Sequence, residues 1–173
     1  DYRQRFDMED GRWHPDAGIK VVPRPGKYYY LGGNNLGERE DRTVEGNDVE
    51  RKNRVTADMG YDFGPVTLYG GVVRSRGGGG LKIRPLPTSS GWNRRVELEA
   101  EAYDFGRDEA YQGYTFDKPV YNAGARVQVV QPWLWLGAQV EDIAVRRNLN
   151  LNANVVFRDE DFAFLLAFIG LAR

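Results

Sequence analysis

The feature that most constrains this chain is a period of two. From Arg54 to Phe63, the residues Val55, Ala57, Met59, Tyr61 and Phe63 fall on one face, and Thr56, Asp58, Gly60 and Asp62 on the other. Gly64-Pro65 turns the chain, after which Val66, Leu68, Gly70 and Val72 alternate with Thr67, Tyr69, Gly71 and Val73. Val96, Leu98, Ala100 and Ala102 oppose Glu97, Glu99 and Glu101 in the same way. A helix would spread those glutamates around its circumference, whereas a strand sets them on one side.

The pattern continues to the C-terminus. Tyr121, Ala123, Ala125, Val127 and Val129 oppose Asn122, Gly124, Arg126 and Gln128; Gln131-Pro132 interrupts; Leu134, Leu136, Ala138 and Val140 follow. Leu149, Leu151, Ala153, Val155 and Phe157 then alternate with Asn148, Asn150, Asn152 and Asn154. A polar turn over Arg158 to Asp161 leads to a closing strand with Phe162, Phe164, Leu166 and Phe168. Tyr2 to Glu9 and Trp13 to Val22 read as a hairpin about Asp10-Gly11, and Pro23 to Gly26 as a turn into Lys27 to Gly33. Asn34 to Asn53 and Gly106 to Pro119 read as loops, and Gly77 to Gly80 as a hairpin tip or a site of close backbone approach. The expectation is one domain over residues 1–173: an all-β, antiparallel, up-and-down barrel of about 10–12 strands.

Composition excludes several functions. With 24 Lys+Arg against 25 Asp+Glu, the chain has no basic footprint for nucleic acid. Without cysteine it has no disulfide, thiol nucleophile or Cys-ligated zinc. The longest apolar stretch, Phe162 to Ala172, is too short for a membrane-crossing helix but suits a tilted strand of roughly 9–11 residues. The low mean hydropathy of −0.60 is compatible with a membrane barrel, because polar and apolar residues alternate along each strand. The chain opens at Asp1 rather than Met, which reads as a fragment of a longer protein.

An alternating barrel can face its apolar side inward around a core or ligand, or outward to lipid. The outward arrangement is expected here. Val96, Leu98, Val127, Leu134, Leu136, Leu151, Phe164 and Leu166 are the lipid-facing candidates; Trp92, Tyr103, Trp133 and Trp135 lie near turns, as an interfacial girdle requires. Glu97, Glu99, Glu101, Arg126, Gln128, Asn150, Asn152 and Asn154 are the lumen-facing candidates. The polar face sets the three glutamates against Arg126, Lys20, Arg3 and Arg5, since a buried charge needs a partner. The alternative is a soluble barrel holding a lipid-like ligand inside.

The order of Tyr61-Asp62-Phe63-Gly64, Gly70 to Ser75, Gly77 to Leu81, Glu101 to Arg107, Trp133 to Asp142 and Phe157 to Leu171, with Pro25 to Gly32 near the start, resembles the C-terminal region of certain bacterial MCE-domain proteins. These are similar to the substrate-binding components of phospholipid ABC transporters. The resemblance implies an outer-membrane barrel that anchors or terminates a trans-envelope phospholipid transport system. Its partners would be phospholipid, an upstream MCE domain and ABC transporter components. The MCE domain itself is missing, and Pro85-Leu86-Pro87 departs from the family's segment after the glycine run.

No enzymatic chemistry is expected. Glu97 and Glu101 are four residues apart on one strand face, roughly 13 Å at the strand rise, while a glycosidase pair needs carboxyls about 5–9.5 Å apart. With Glu99 between them, they read as a charged wall. His14 beside Pro15 reads as a solvated turn residue, and Ser75, Ser89 and Ser90 lack a nucleophile-elbow motif. Asp41 and Asp48, even with Glu38, Glu40 or Glu45, show no ordered calcium-ligand spacing. The glycine run precedes no helix and so makes no phosphate cradle. Neither metal nor cofactor is expected. The asparagine row reads as a hydrogen-bonded ladder to neighbouring lumen residues.

Overall fold

The computed structural model describes residues 1–9, 11–37, 53–87, 89–92, 95–111 and 114–157. In chain order its strands are β1 (Tyr2–Asp7), β2 (Arg12–Arg24), β3 (Lys27–Asn34), β4 (Arg54–Phe63), β5 (Val66–Val73), β6 (Arg76–Ile83), β7 (Val96–Tyr103), β8 (Glu109–Tyr111), β9 (Tyr114–Phe116), β10 (Val120–Val130), β11 (Leu134–Glu141) and β12 (Asn148–Val155). Ten of them close into one barrel in the order β1-β12-β11-β10-β7-β6-β5-β4-β3-β2, every neighbour antiparallel; β8 and β9 form a separate two-stranded sheet. Closure comes from β1, which pairs with β2 on one side and β12 on the other, so the barrel has no free edge. Among the described residues no helix is long and apolar enough to cross a membrane, which says nothing about crossing by strands.

Turn chemistry sets the register. Pro25-Gly26 joins the paired Arg24 and Lys27, with Gly26 at φ +77°. Gly64-Pro65 joins Phe63 and Val66, with Gly64 at φ +65°. The β5–β6 turn consists of Arg74 and Ser75, both at positive φ (47° and 64°) as a primed hairpin turn requires. Ser75 supports it from β4: its amide donates to Val55 O at 2.6 Å, and its hydroxyl accepts from Val55 N at 2.9 Å.

Gly77 to Gly80 is therefore not a hairpin tip, since the tip lies at Arg74-Ser75 and the glycines sit inside β6. Close approach is their role. A Cβ on Gly80 would stand 2.4 Å from Ala100 O and 2.6 Å from the Tyr69 hydroxyl, so only glycine lets the Tyr69 ring lie across β6. Gly60 does the same for Tyr28. The segment read as a loop over Gly106 to Pro119 contains the β8–β9 hairpin. The expected closing strand from Phe162, the turn before it and most of the Asn34–Asn53 segment lie outside the described residues.

Candidate functional site: the barrel lumen

Alternation places two chemically opposite surfaces on the two sides of one wall. Ile19 is 70% exposed and Leu31 61%, and Met59, Leu68, Leu98, Leu136, Leu149 and Leu151 are also exposed on the outer face. Inside, Arg5 is 2% exposed, Asn150 1% and Asn154 0%, with Asp7, Asp16, Glu97 and Glu141 similarly buried. Polar side chains fill the interior.

A belt of ion pairs crosses the lumen at one end. The Arg5 guanidinium donates to Asp16 at 2.9 Å, to Glu141 at 2.7 Å and to Asn35 Oδ1 at 2.6 Å. Arg74, projecting from the β5–β6 turn, reaches the same Glu141 oxygen at 2.5 Å. Burial alone would lower the Arg74 pKa, but the adjacent Glu141 charge outweighs it and holds the guanidinium well above its ordinary value. Beside the belt, Arg107 pairs with Asp142 at 2.7 Å and Asn148 donates to Asp7 at 2.6 Å.

A second cluster lies further along the axis. Arg126 grips Glu97 at 2.6 Å, Lys82 stands 3.3 Å from Glu99, and the Tyr69 hydroxyl is 3.1 Å from both Glu99 and Glu101. Asn122 donates to Glu101 at 3.1 Å. Next to this cluster is a cavity of about 120 Å³ whose lining includes Arg3, Lys20, Tyr28, Tyr30, Asp58 and Glu99.

Glu97, Glu99, Glu101, Arg126, Gln128, Asn150, Asn152 and Asn154 all lie on the inward face. Val96, Leu98, Val127, Leu134, Leu136 and Leu151 lie on the opposite face, while Phe164 and Leu166 fall outside the described residues. Trp92 and Trp133 are exposed at the barrel end where β6 meets β7 and β10 meets β11. Tyr103 and Trp135 are not girdle residues. Tyr103 is 3% exposed and packs with Val73 and Val120; Trp135 shares the inward face with Gln128 and Asn154, its ring 4.9 Å from the Arg126 guanidinium. The asparagine ladder forms only in part: Asn148 reaches Asp7 and Asn154 reaches Asp1, while both side-chain amide atoms of Asn150 lack a hydrogen-bond partner among the described residues.

His14 is likewise misplaced by the sequence reading. It sits inside β2 facing the lumen, buried near Arg5, Asp7 and Glu141, rather than solvated at a turn. The belt itself was missed, because Asp16, Arg74 and Glu141 were not singled out. Among the described residues no group of His, Cys, Asp or Glu is arranged to hold a metal; Glu38, Glu40, Asp41, Glu45 and Asp48 lie outside them.

A family model described as a lipocalin-like domain matches residues 1–164. No curated protein and no solved structure matches. This overturns the resemblance to MCE-domain proteins, since the matching family spans nearly the whole chain and is a different one. The MCE-type trans-envelope transport role falls with it, and so does the ground on which MCE and ABC-transporter partners and an outer-membrane siting were expected.

Proposed function

The chain belongs to this lipocalin-like family, and we propose, from the polarity of its wall rather than from the family, that the barrel meets lipid with its outside rather than its inside. In this reading the barrel stands in a bilayer, holds phospholipid acyl chains against its outer wall and performs no catalytic step. The observation that carries it is the distribution of polarity: Ile19, Leu31, Leu68, Leu98 and Leu136 are exposed, while Arg5, Asp16, Glu97 and Glu141 are enclosed. In water that arrangement would leave these apolar side chains uncovered around the wall, whereas soluble monomers rarely expose large contiguous apolar patches. In a bilayer the same surface is solvated by acyl chains, and the closed ladder satisfies the backbone. Exposed aromatic residues near both ends, Phe63, Trp92 and Trp133 at one and Trp13 and Phe105 at the other, support it further.

The family description favours a second reading, a soluble barrel with a ligand inside. Lipocalin barrels have eight strands around one small ligand, and small-molecule pockets usually measure about 300–1,000 Å³ and are mostly apolar. Here ten strands enclose a smaller cavity lined by charges, so an acyl chain would desolvate them without offering partners. An interior ligand would have to be small and polar.

Refolding the chain with and without detergent separates the two. The bilayer reading expects aggregation until detergent or lipid is supplied, and different gel mobility for heated and unheated samples. A monodisperse, fully folded chain in plain buffer would overturn it in favour of the soluble barrel.

A further inference from the structure

The cavity beside the ion-pair belt has an uneven distribution of partners. Lys82 is paired with Glu99, Arg126 with Glu97, and Arg74 with Glu141. Arg3 and Lys20, which line the same space, make no hydrogen bond or ion pair with any described residue. Lys20 has only the face of Tyr28, with its ammonium 4.0 Å from the ring centroid. Arg3 sits in the field of Glu99 and Asp16 without a hydrogen-bonded contact to either. Two cations therefore face the cavity with donors to spare, and the hydroxyl-bearing rings of Tyr28 and Tyr30 stand beside them.

We infer that this cavity is a binding site for a small tetrahedral oxyanion of the phosphate type, held by Arg3 and Lys20. A guanidinium presents a planar fork that matches two oxygens of such an ion, and an ammonium supplies a mobile point charge. A cavity needs roughly 10–15 Å³ to hold one water, so about 120 Å³ has room for a phosphate-sized ion. Access comes from the barrel end nearer Lys20, whose side chain is exposed, while the Arg5–Glu141–Arg74 belt closes the other side. Five carboxylates among the described residues share the space. Asp16, Glu99, Glu101 and Asp1 are engaged by Arg5, Lys82, Asn122 and Asn154 respectively. Asp58, with one oxygen buried and unpartnered among the described residues, opposes an anion without such compensation. Neutralising Asp58 should therefore tighten the site.

The oxyanion could arrive free or as the phosphate of a lipid headgroup at the barrel mouth. The site itself needs only a folded barrel, whether in a bilayer or in water. The test titrates inorganic phosphate into the full chain refolded in a neutral, phosphate-free detergent, or in buffer if it proves soluble. Circular dichroism and heat-dependent gel mobility check folding first, so a failure to fold is not mistaken for a failure to bind. Saturable binding is expected, weakened at least tenfold in Lys20→Met and strengthened severalfold in Asp58→Asn. Lys20 is exposed, so its replacement spares the fold. A second arm reconstitutes wild type and Lys20→Met with phosphatidylglycerol and measures tightly retained lipid phosphorus after delipidation. Retention that depends on Lys20, without binding of inorganic phosphate, identifies the headgroup as the source. A folded wild-type chain that neither binds phosphate nor retains lipid phosphorus, or a Lys20→Met variant that matches wild type in both arms, would overturn the proposal.

Discussion

Arg5 and Glu141 are 136 residues apart in the chain and 2.7 Å apart in the lumen. Glu141 also receives Arg74 from the far side of the barrel, so one carboxylate ties β1, β11 and the β5–β6 turn together. Removing it leaves two buried guanidinium groups short of a partner, although Arg5 retains Asp16. Glu141→Ala should therefore destabilise the barrel by about 3–5 kcal/mol, the usual cost of breaking a buried pair from one side. Denaturant unfolding in a fixed detergent measures it. A loss below ~1 kcal/mol would show that the belt is solvated like a surface ion pair.

Leu98 and Glu99 are adjacent in β7 and point to opposite sides of the wall. If the outer wall lies in lipid, Leu98→Arg should cost about 2–4 kcal/mol near mid-membrane, and close to nothing if that wall faces water. Glu99→Ala would be costly in either setting, because it strips Lys82 of its ion-pair partner and leaves the Tyr69 hydroxyl only Glu101. The discriminating measurement is the stability of Leu98→Arg in lipid vesicles; tolerance equal to wild type would remove the lipid-facing assignment.

How much of this was legible in the chain depends on distance along it. The alternation assigned each residue a side, because the strand period is two and acts locally. Tyr103 shows what a rule about turns overlooks: it continues the parity of Glu97, Glu99 and Glu101, and so belonged inside with them. Trp135 shares parity with Gln139, which is buried, and the same signal was available there. His14 carries the parity of Asp16 and faces inward with it. The belt is different. Which inward residue meets Glu141 is decided by how ten strands stagger when the sheet closes, and no local pattern in β1 or β11 encodes that stagger. Arg3 and Lys20 read as charges of the polar face, but the cavity they share with Asp58 depends on the same stagger, since the three come from different strands.

Tyr28 and Gly60 test whether the barrel depends on rings laid over bare backbone. A Cβ on Gly60 would fall 2.1 Å from the Tyr28 ring, far inside van der Waals contact, and Tyr28 is buried. Gly60→Ala should cost about 1–3 kcal/mol, as overpacking of a filled interior does. The same change in a Tyr28→Ala background should cost much less, since the clashing ring is gone. Additive losses in that double-mutant cycle would mean that Gly60 is needed for something other than Tyr28.

Tyr69 carries one hydroxyl proton and stands 3.1 Å from two carboxylates, Glu99 and Glu101. It can donate to only one of them at a time, so its contribution is that of a single hydrogen bond to a charged group. Tyr69→Phe keeps the ring over Gly80 and removes only that donor. The expected loss is about 1.5–3 kcal/mol, read by denaturant unfolding of the detergent-folded chain. Glu101→Gln supplies an amide donor of its own beside Glu99 and relieves the repulsion between the two carboxylates, so it should recover part of that loss in the Tyr69→Phe background. If the second change adds its own full penalty instead, the two glutamates do not share this hydroxyl, and Glu101 is held chiefly by Asn122.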